Sequence, residues 1–188
     1  MTETVLQELL IEDSKRLFGV DYDESEPISE QNRLPVLLTD ADGQSARLKA
    51  FSQRPWEKDY IEDADGSVRL APFMNVFISS QTTRTRRYDD QPDVRRVAEV
   101  FIVFMTCDEV DPGSREVTRV CGHMSGMHLC EMLDLRFRRD PLLAPHFVCL
   151  ADETEKYYEN LVAMEPYYGC AMKLVFELPN ATPESVYI

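Results

Sequence analysis

Glycine is scarce in this chain of 188 residues: seven are present, and they are scattered. That excludes the glycine-rich loop that cradles a phosphate and the tight elbow that presents a serine nucleophile. Positive charge is also short, with 20 Lys and Arg against 34 Asp and Glu, a formal net charge of −14. A surface so acidic repels nucleic acid and offers no phosphate-binding footprint. No apolar run approaches the ~20 residues of a membrane span. The opening Met1-Thr2-Glu3-Thr4-Val5 has no basic stretch followed by an apolar one, so no secretory signal is expected. The five cysteines are an odd number and read as buried free thiols of a protein made in a reducing compartment. No internal repeat is evident.

What is present suits one domain over 1–188. A chain of this length buries roughly two-thirds of the surface its unfolded form exposes. Thr2 can cap a helix whose positive end suits Glu3. Val5, Leu6, Leu9, Leu10, Leu17 and Phe18 recur at helical spacing and predict a helix within 1–20, ending near Gly19. Residues 21–32 are acidic and contain proline and serine, a loop composition. Strands over 34–38 and 46–51 flank the turn Asp40-Ala41-Asp42-Gly43 and are expected to pair as a hairpin. The apolar strands 72–79 and 97–105 are expected to pair antiparallel. The polar arm 81–94 joins them as an extended hairpin tip.

A long helix is predicted over 111–139. Asp111-Pro112 suits its first turn, and Arg136, Arg138 and Arg139 suit its negative end. Val117, Val120, Cys121, Met124, His128, Met132 and Leu135 form the stripe expected to face the strands. A short strand at 146–150, an acidic-aromatic loop at 152–168 and a last strand at 171–179 complete the chain. The fold class is therefore α+β: a mixed, mostly antiparallel sheet covered by the long helix and the N-terminal helix, with an extended β-hairpin arm.

Three groups of residues could carry chemistry. Cys121, His123, His128 and Cys130 look like a zinc cluster, but zinc needs its ligands within about 2.0–2.3 Å of one point. At about 100° per residue, Cys121 and His128 share one face of a straight helix while His123 and Cys130 share another. They read as buried thiols and packed imidazoles, so no metal and no cofactor is expected. No cysteine has the base and oxyanion hole of a nucleophile, so no catalytic residue is assigned and the chain does not read as an enzyme. Asp63-Ala64-Asp65-Gly66 lacks the remaining ligands of a calcium loop and reads as a turn.

The surface features point to contacts between proteins. Arg84, Arg86 and Arg87 are followed at once by Asp89 and Asp90, which suits a solvated loop or a protein-contacting arm better than a nucleic-acid site. Tyr157, Tyr158, Tyr167 and Tyr168 straddle the last loop and are either core edges or interface anchors. The negative charge is open to three readings: solubility, a surface that DNA passes without sticking, or a mimic of DNA that blocks a DNA-binding protein.

Several motifs resemble the tail terminator (tail completion) proteins of long-tailed bacteriophages. They are Pro72-Phe73-Met74-Asn75-Val76, then Glu99-Val100-Phe101-Ile102-Val103-Phe104 followed by the stretch 108–111. A long helix comes next, then Phe147 ahead of Asp152-Glu153-Thr154-Glu155. Last comes Pro166-Tyr167-Tyr168-Gly169, opening a strand that ends in Leu178-Pro179. The match spans 72–179, a little over half the chain, and the loops at 21–32 and 54–69 are longer than usual for the family. The resemblance implies a mixed α/β fold and a homo-hexameric ring that caps the tail tube, stops its polymerisation and joins it to the head-neck connector. It implies the tube protein and the head-completion proteins as partners, genome DNA passing through the lumen unbound, and a place in the virion after assembly in the bacterial host cytoplasm. No membrane is involved. Arg84, Arg86, Arg87, Asp89, Asp90, Tyr167 and Tyr168 are the expected contact residues. The alternative is an acidic inhibitor or DNA mimic that binds a host DNA-binding protein.

Overall fold

The computed structural model describes residues 2–40, 42–51, 71–88, 91–111, 113–114, 116–159 and 165–179. The calcium-like motif and the rest of 52–70 lie outside them. Helix α1 spans Thr2–Phe18. A small hairpin follows, β1 (Leu37–Thr39) with β2 (Ser45–Arg47). Its turn is built by Asp40, whose carboxylate accepts the N–H of Asp42 at 3.0 Å and of Gln44 at 2.8 Å. The strand expected over 46–51 is broken at buried Leu48. The second half, β3 (Lys49–Phe51), turns away to pair in parallel with β4.

The main sheet is dominated by β4 (Phe73–Tyr88), β5 (Gln91–Cys107) and β11 (Tyr167–Leu178). β5 lies between the other two, antiparallel to both, and among the described residues β3 is the only parallel member. Two short strands, β8 (Leu142–Ala144) and β9 (Phe147–Cys149), extend the sheet alongside the C-terminal part of β11, and β10 (Glu155–Tyr157) pairs with its middle. The fold is α+β with a mixed, mostly antiparallel sheet. The polar residues 81–88 and 91–94 form the expected hairpin arm. They continue the β4–β5 ladder as far as the pair Tyr88 and Gln91, after a bulge at Ser79. Threonines at 82, 83 and 85 suit extended backbone.

Successive strand residues face opposite sides. One side carries Met74, Val76, Ala98, Val100, Ile102, Phe104, Met172, Leu174 and Phe176, all fully buried. Leu6, Leu10 and Phe18 of α1 cover it, with Phe18 set edge-on to Phe104 at 5.8 Å. Helix α2 (Gly122–Arg139) covers the rest, with Phe137 edge-on to Phe176 at 5.5 Å.

Two sequence expectations about α2 need correction. The helix does not start near 111. The stretch before it forms a hairpin, β6 (Glu109–Val110) with β7 (Val117–Arg119). Asp111 accepts the N–H of Ser114 at 2.8 Å, which closes a turn instead of capping a helix. The buried face is also different. It consists of Gly122, Gly126, Leu129, Cys130, Leu133 and Phe137, with Asp134 buried beside them. Val120, Met124 and Leu135 are 70%, 63% and 64% exposed, and His128 is exposed too. The cause is glycine. A Cβ on Gly126 would stand 2.7 Å from the Cys170 sulfur, so the helix can approach the sheet only along the glycine line. A count of bulky apolar side chains misses that line.

Candidate assembly surface

The start of α2 is held by groups outside the helix. Asp108, at the end of β5, accepts the N–H of Cys121 at 3.0 Å and of Gly122 at 2.8 Å. This carboxylate caps the helix and meets its positive end. The Thr106 hydroxyl lies 2.7 Å from the Gly122 carbonyl oxygen and 3.2 Å from that of Tyr168. Tyr168 packs against Gly126, meets the His123 ring in a T-shaped contact with centroids 5.1 Å apart, and donates its hydroxyl hydrogen to the Tyr158 carbonyl. At 8% exposure it has little surface left for another molecule. Of the two readings open for Tyr168, the structure therefore selects the core. Tyr167 is half-buried at the margin of a second, smaller cluster formed by Ala71, Phe73 and Cys107.

Across the opposite face of the sheet runs an aromatic ladder. Phe77 of β4 stacks on its register partner Phe101 at 5.8 Å, and Phe101 stacks on Tyr157 of β10 at 5.9 Å. Phe77 and Tyr157 keep more than a third of their surface exposed. The ladder was missed in the sequence because Phe101 and Phe77 lie in apolar runs that read as uniform core.

The arm begins beside this ladder. Arg84 is not a free charge: it bonds the Glu153 carboxylate of the 3-10 turn Ala151–Glu153 and lies 3.9 Å from Glu99. Arg95 pairs with Glu177 at 3.1 Å. Arg86 stands opposite Asp93 and Arg87 opposite Pro92 in the ladder. Asp89 and Asp90 lie outside the described residues. Among the described residues the last rung between β5 and β11 is Arg96 with Leu178, and the β4–β5 rungs from Arg84–Arg95 to Tyr88–Gln91 lie beyond it. The expected contact residues thus separate: arginines 84, 86 and 87 share the arm, and the tyrosines belong to the other end of β11.

On the helix side, β10 is clasped to α2 by charge. Lys156 reaches Asp134 at 2.7 Å and Glu131 at 2.9 Å, Arg138 bonds Asp134 at 2.9 Å, and the Tyr158 hydroxyl donates to Glu131 at 2.9 Å. Burial works to lower the Lys156 pKa, but its hydrogen bonds to Asp134 and Glu131 outweigh it and hold the ammonium above its usual range. Glu131 moves the other way, lowered by Lys156 and then by Tyr158.

The remaining chemistry is muted. A cleft of about 490 Å³ between the C-terminal ends of α1 and α2 sets Arg16, Arg33, Arg136 and Arg139 against Asp13, Glu30 and Asp140. The carboxylates and the two negative helix ends offset those cations. A second cleft, about 430 Å³, lies between Arg84, Arg95 and Val97 on one side and the stretch 149–153 on the other. Its Cys149 thiol is pushed up to about 12 by burial, which keeps it protonated at neutral pH. Cys121 precedes the helix, its sulfur on the Cys107 carbonyl at 3.6 Å, and Cys130 turns toward Cys170. Among the described residues no three His, Cys, Asp or Glu side chains converge on a metal position, and no helix is long and apolar enough to cross a membrane. No protein-family model matches this chain, and no curated protein matches it.

Proposed function

We propose that this chain is a tail terminator subunit of a long-tailed bacteriophage. It is a structural virion protein, not an enzyme, that closes into a hexameric ring on the tail tube, ends tube polymerisation and joins the tail to the head-neck connector. It assembles in the host cytoplasm. The observation that carries this reading is the arm, together with the motif resemblance over 72–179. A two-stranded ribbon is marginal by itself in water, and among the described residues this one continues past the last β5–β11 rung. A ring neighbour or the tube surface would give it a second partner. The net charge of −14 fits a lumen through which DNA passes without adhering. That same charge is what favours the second reading, a DNA mimic that occupies a host DNA-binding protein.

Electron microscopy of the purified chain, and of tails made with and without it, tests the first reading. Rings, and over-long tubes when the chain is missing, are expected. Reversal of Arg86 and Arg87 to Glu should abolish ring formation or tube capping while leaving the melting curve in place. Tails of normal length made without the chain would overturn the reading. A stable one-to-one complex with a DNA-binding protein, displaced by duplex DNA, would support the second.

A further inference from the structure

We propose that Cys130 and Cys170 are a modification site: a thiol pair that closes to a disulfide and staples α2 to β11 when a peroxide reaches it. The inference concerns the single subunit and is independent of what it assembles into.

The two sulfurs are 3.9 Å apart, on side chains separated by 40 residues, and both residues are fully buried. Cys130 lies on the glycine line of α2. Gly126, one turn earlier, brings the helix so close that a Cβ there would stand 2.7 Å from the Cys170 sulfur. The seating of the helix thus presses one sulfur toward the other. Of the other cysteines, Cys121 points its sulfur at the Cys107 carbonyl oxygen, and Cys107 and Cys149 are buried. Cys130 and Cys170 are the pair set sulfur against sulfur.

The chemistry balances with a peroxide as oxidant. One cysteine, as thiolate, attacks an oxygen of hydrogen peroxide. The O–O bond breaks, a sulfenic acid forms, and the displaced hydroxide takes the thiol's proton to become water. The second sulfur attacks the sulfenic sulfur. An S–S bond forms, the S–O bond breaks, and the leaving oxygen departs as a second water. Two electrons pass from the two sulfurs to the peroxide.

The Cys130 thiol resists ionisation in place. It is pushed up by its contact with Cys170 and then by burial. The reaction therefore waits on local opening of α2 from the sheet. Closure is slow, and reduction is slow for the same reason, so the disulfide records exposure to oxidant instead of tracking it.

The test treats the folded, purified chain with hydrogen peroxide, alkylates it under denaturing conditions, and maps its peptides by mass. The expected result is a linked pair of peptides carrying Cys130 and Cys170, with Cys107, Cys121 and Cys149 still alkylated. A melting point raised by roughly 10 °C and restored by dithiothreitol should accompany it. Sub-denaturing urea should speed the closure. Cys130→Ser should abolish the link and the rise, and Cys121→Ser should leave both. Five alkylated cysteines after peroxide, or a link between Cys107 and Cys121 instead, would overturn the proposal. The map of the unsubstituted chain decides the matter even if a variant folds poorly.

Discussion

The two faces of the main sheet follow the same alternation and reach opposite ends. The helix-covered face is continuous, dry and aliphatic, from Met74 across Ile102 to Leu174, with one phenylalanine under each helix. The other face is a patchwork. At one end lies the small cluster around Phe73 and Cys107, in the middle the half-open ladder Phe77, Phe101 and Tyr157, and at the arm end the pairs Arg84 with Glu153 and Arg95 with Glu177. The covered face draws on apolar area removed from water, at about 25 cal/mol per Å². The open face draws on stacking and on half-exposed ion pairs, each of which contributes about 1 kcal/mol or less. Its residues are therefore under little constraint from folding, which is why a contact surface is sought there and not under the helices.

The sharpest way to break that comparison is to place a charge on either side of α2. Leu133→Asp buries a carboxylate in the covered face and should cost several kcal/mol, enough to abolish a cooperative melt. Met124→Asp, on the same helix but 63% exposed, should move stability by less than about 0.5 kcal/mol. Circular dichroism melts of the two variants read this directly, and an unfolded Met124 variant would refute the assigned helix face.

Crowding the glycine line is the next largest change. Gly126→Val would drive its Cβ into the Cys170 sulfur and should cost about 2 kcal/mol, whereas a change of the same size at Met124 should be neutral. Urea titration distinguishes these outcomes. Loss of the cap comes third. Asp108→Ala leaves the N–H groups of Cys121 and Gly122 without their acceptor and should cost about 1 kcal/mol, with amide exchange rising first at the start of α2.

The clasp between β10 and α2 gives a smaller effect, sensitive to pH. Glu131 has a folded pKa below its ordinary 4.5, so its contribution is complete above pH 4.5 and is lost as pH falls through the folded value. Lys156 has its pKa raised, so its contribution is complete below 10.5 and is lost only in strong base. The clasp is therefore at full strength at neutral pH and weakens in acid. Glu131→Gln should melt slightly below the parent at pH 7 and approach it at pH 3.5. A gap that does not narrow would show that Glu131 acts through its shape and not its charge. Reversing Arg86 and Arg87 together should, like Met124→Asp, move folding by less than about 0.5 kcal/mol, although it is the change expected to act on the proposed ring.

How much of this was legible before folding varies along the chain. The apolar stretches of strands β4, β5 and β11 and the apolar face of helix α1 announce themselves, because each is long and bounded by polar residues. The hairpin β6–β7 does not. Asp111-Pro112 is an equally good signal for a turn and for a first helical turn, and the hydrogen bond from Ser114 to Asp111 decides between them. The contact residues divide in the same way. Arg84, Arg86 and Arg87 could be placed on an arm from their position between two apolar strands. That Arg84 is already held by Glu153 depends on a contact across 69 residues. Tyr168 has the same composition cues as exposed Tyr157, and only the glycine opposite it makes it core.

By itself the sequence determined the class of the fold, the order of its long elements and the acidity of its surface, because alternation and charge are local properties that need no partner. Tertiary structure alone decided which face of α2 is buried, which carboxylate caps it, which sulfurs meet and which carboxylate holds Arg84. Each of these depends on distances between residues remote in the chain, and a closely packed interior settles such distances by the fit of small residues such as Gly126 against their neighbours.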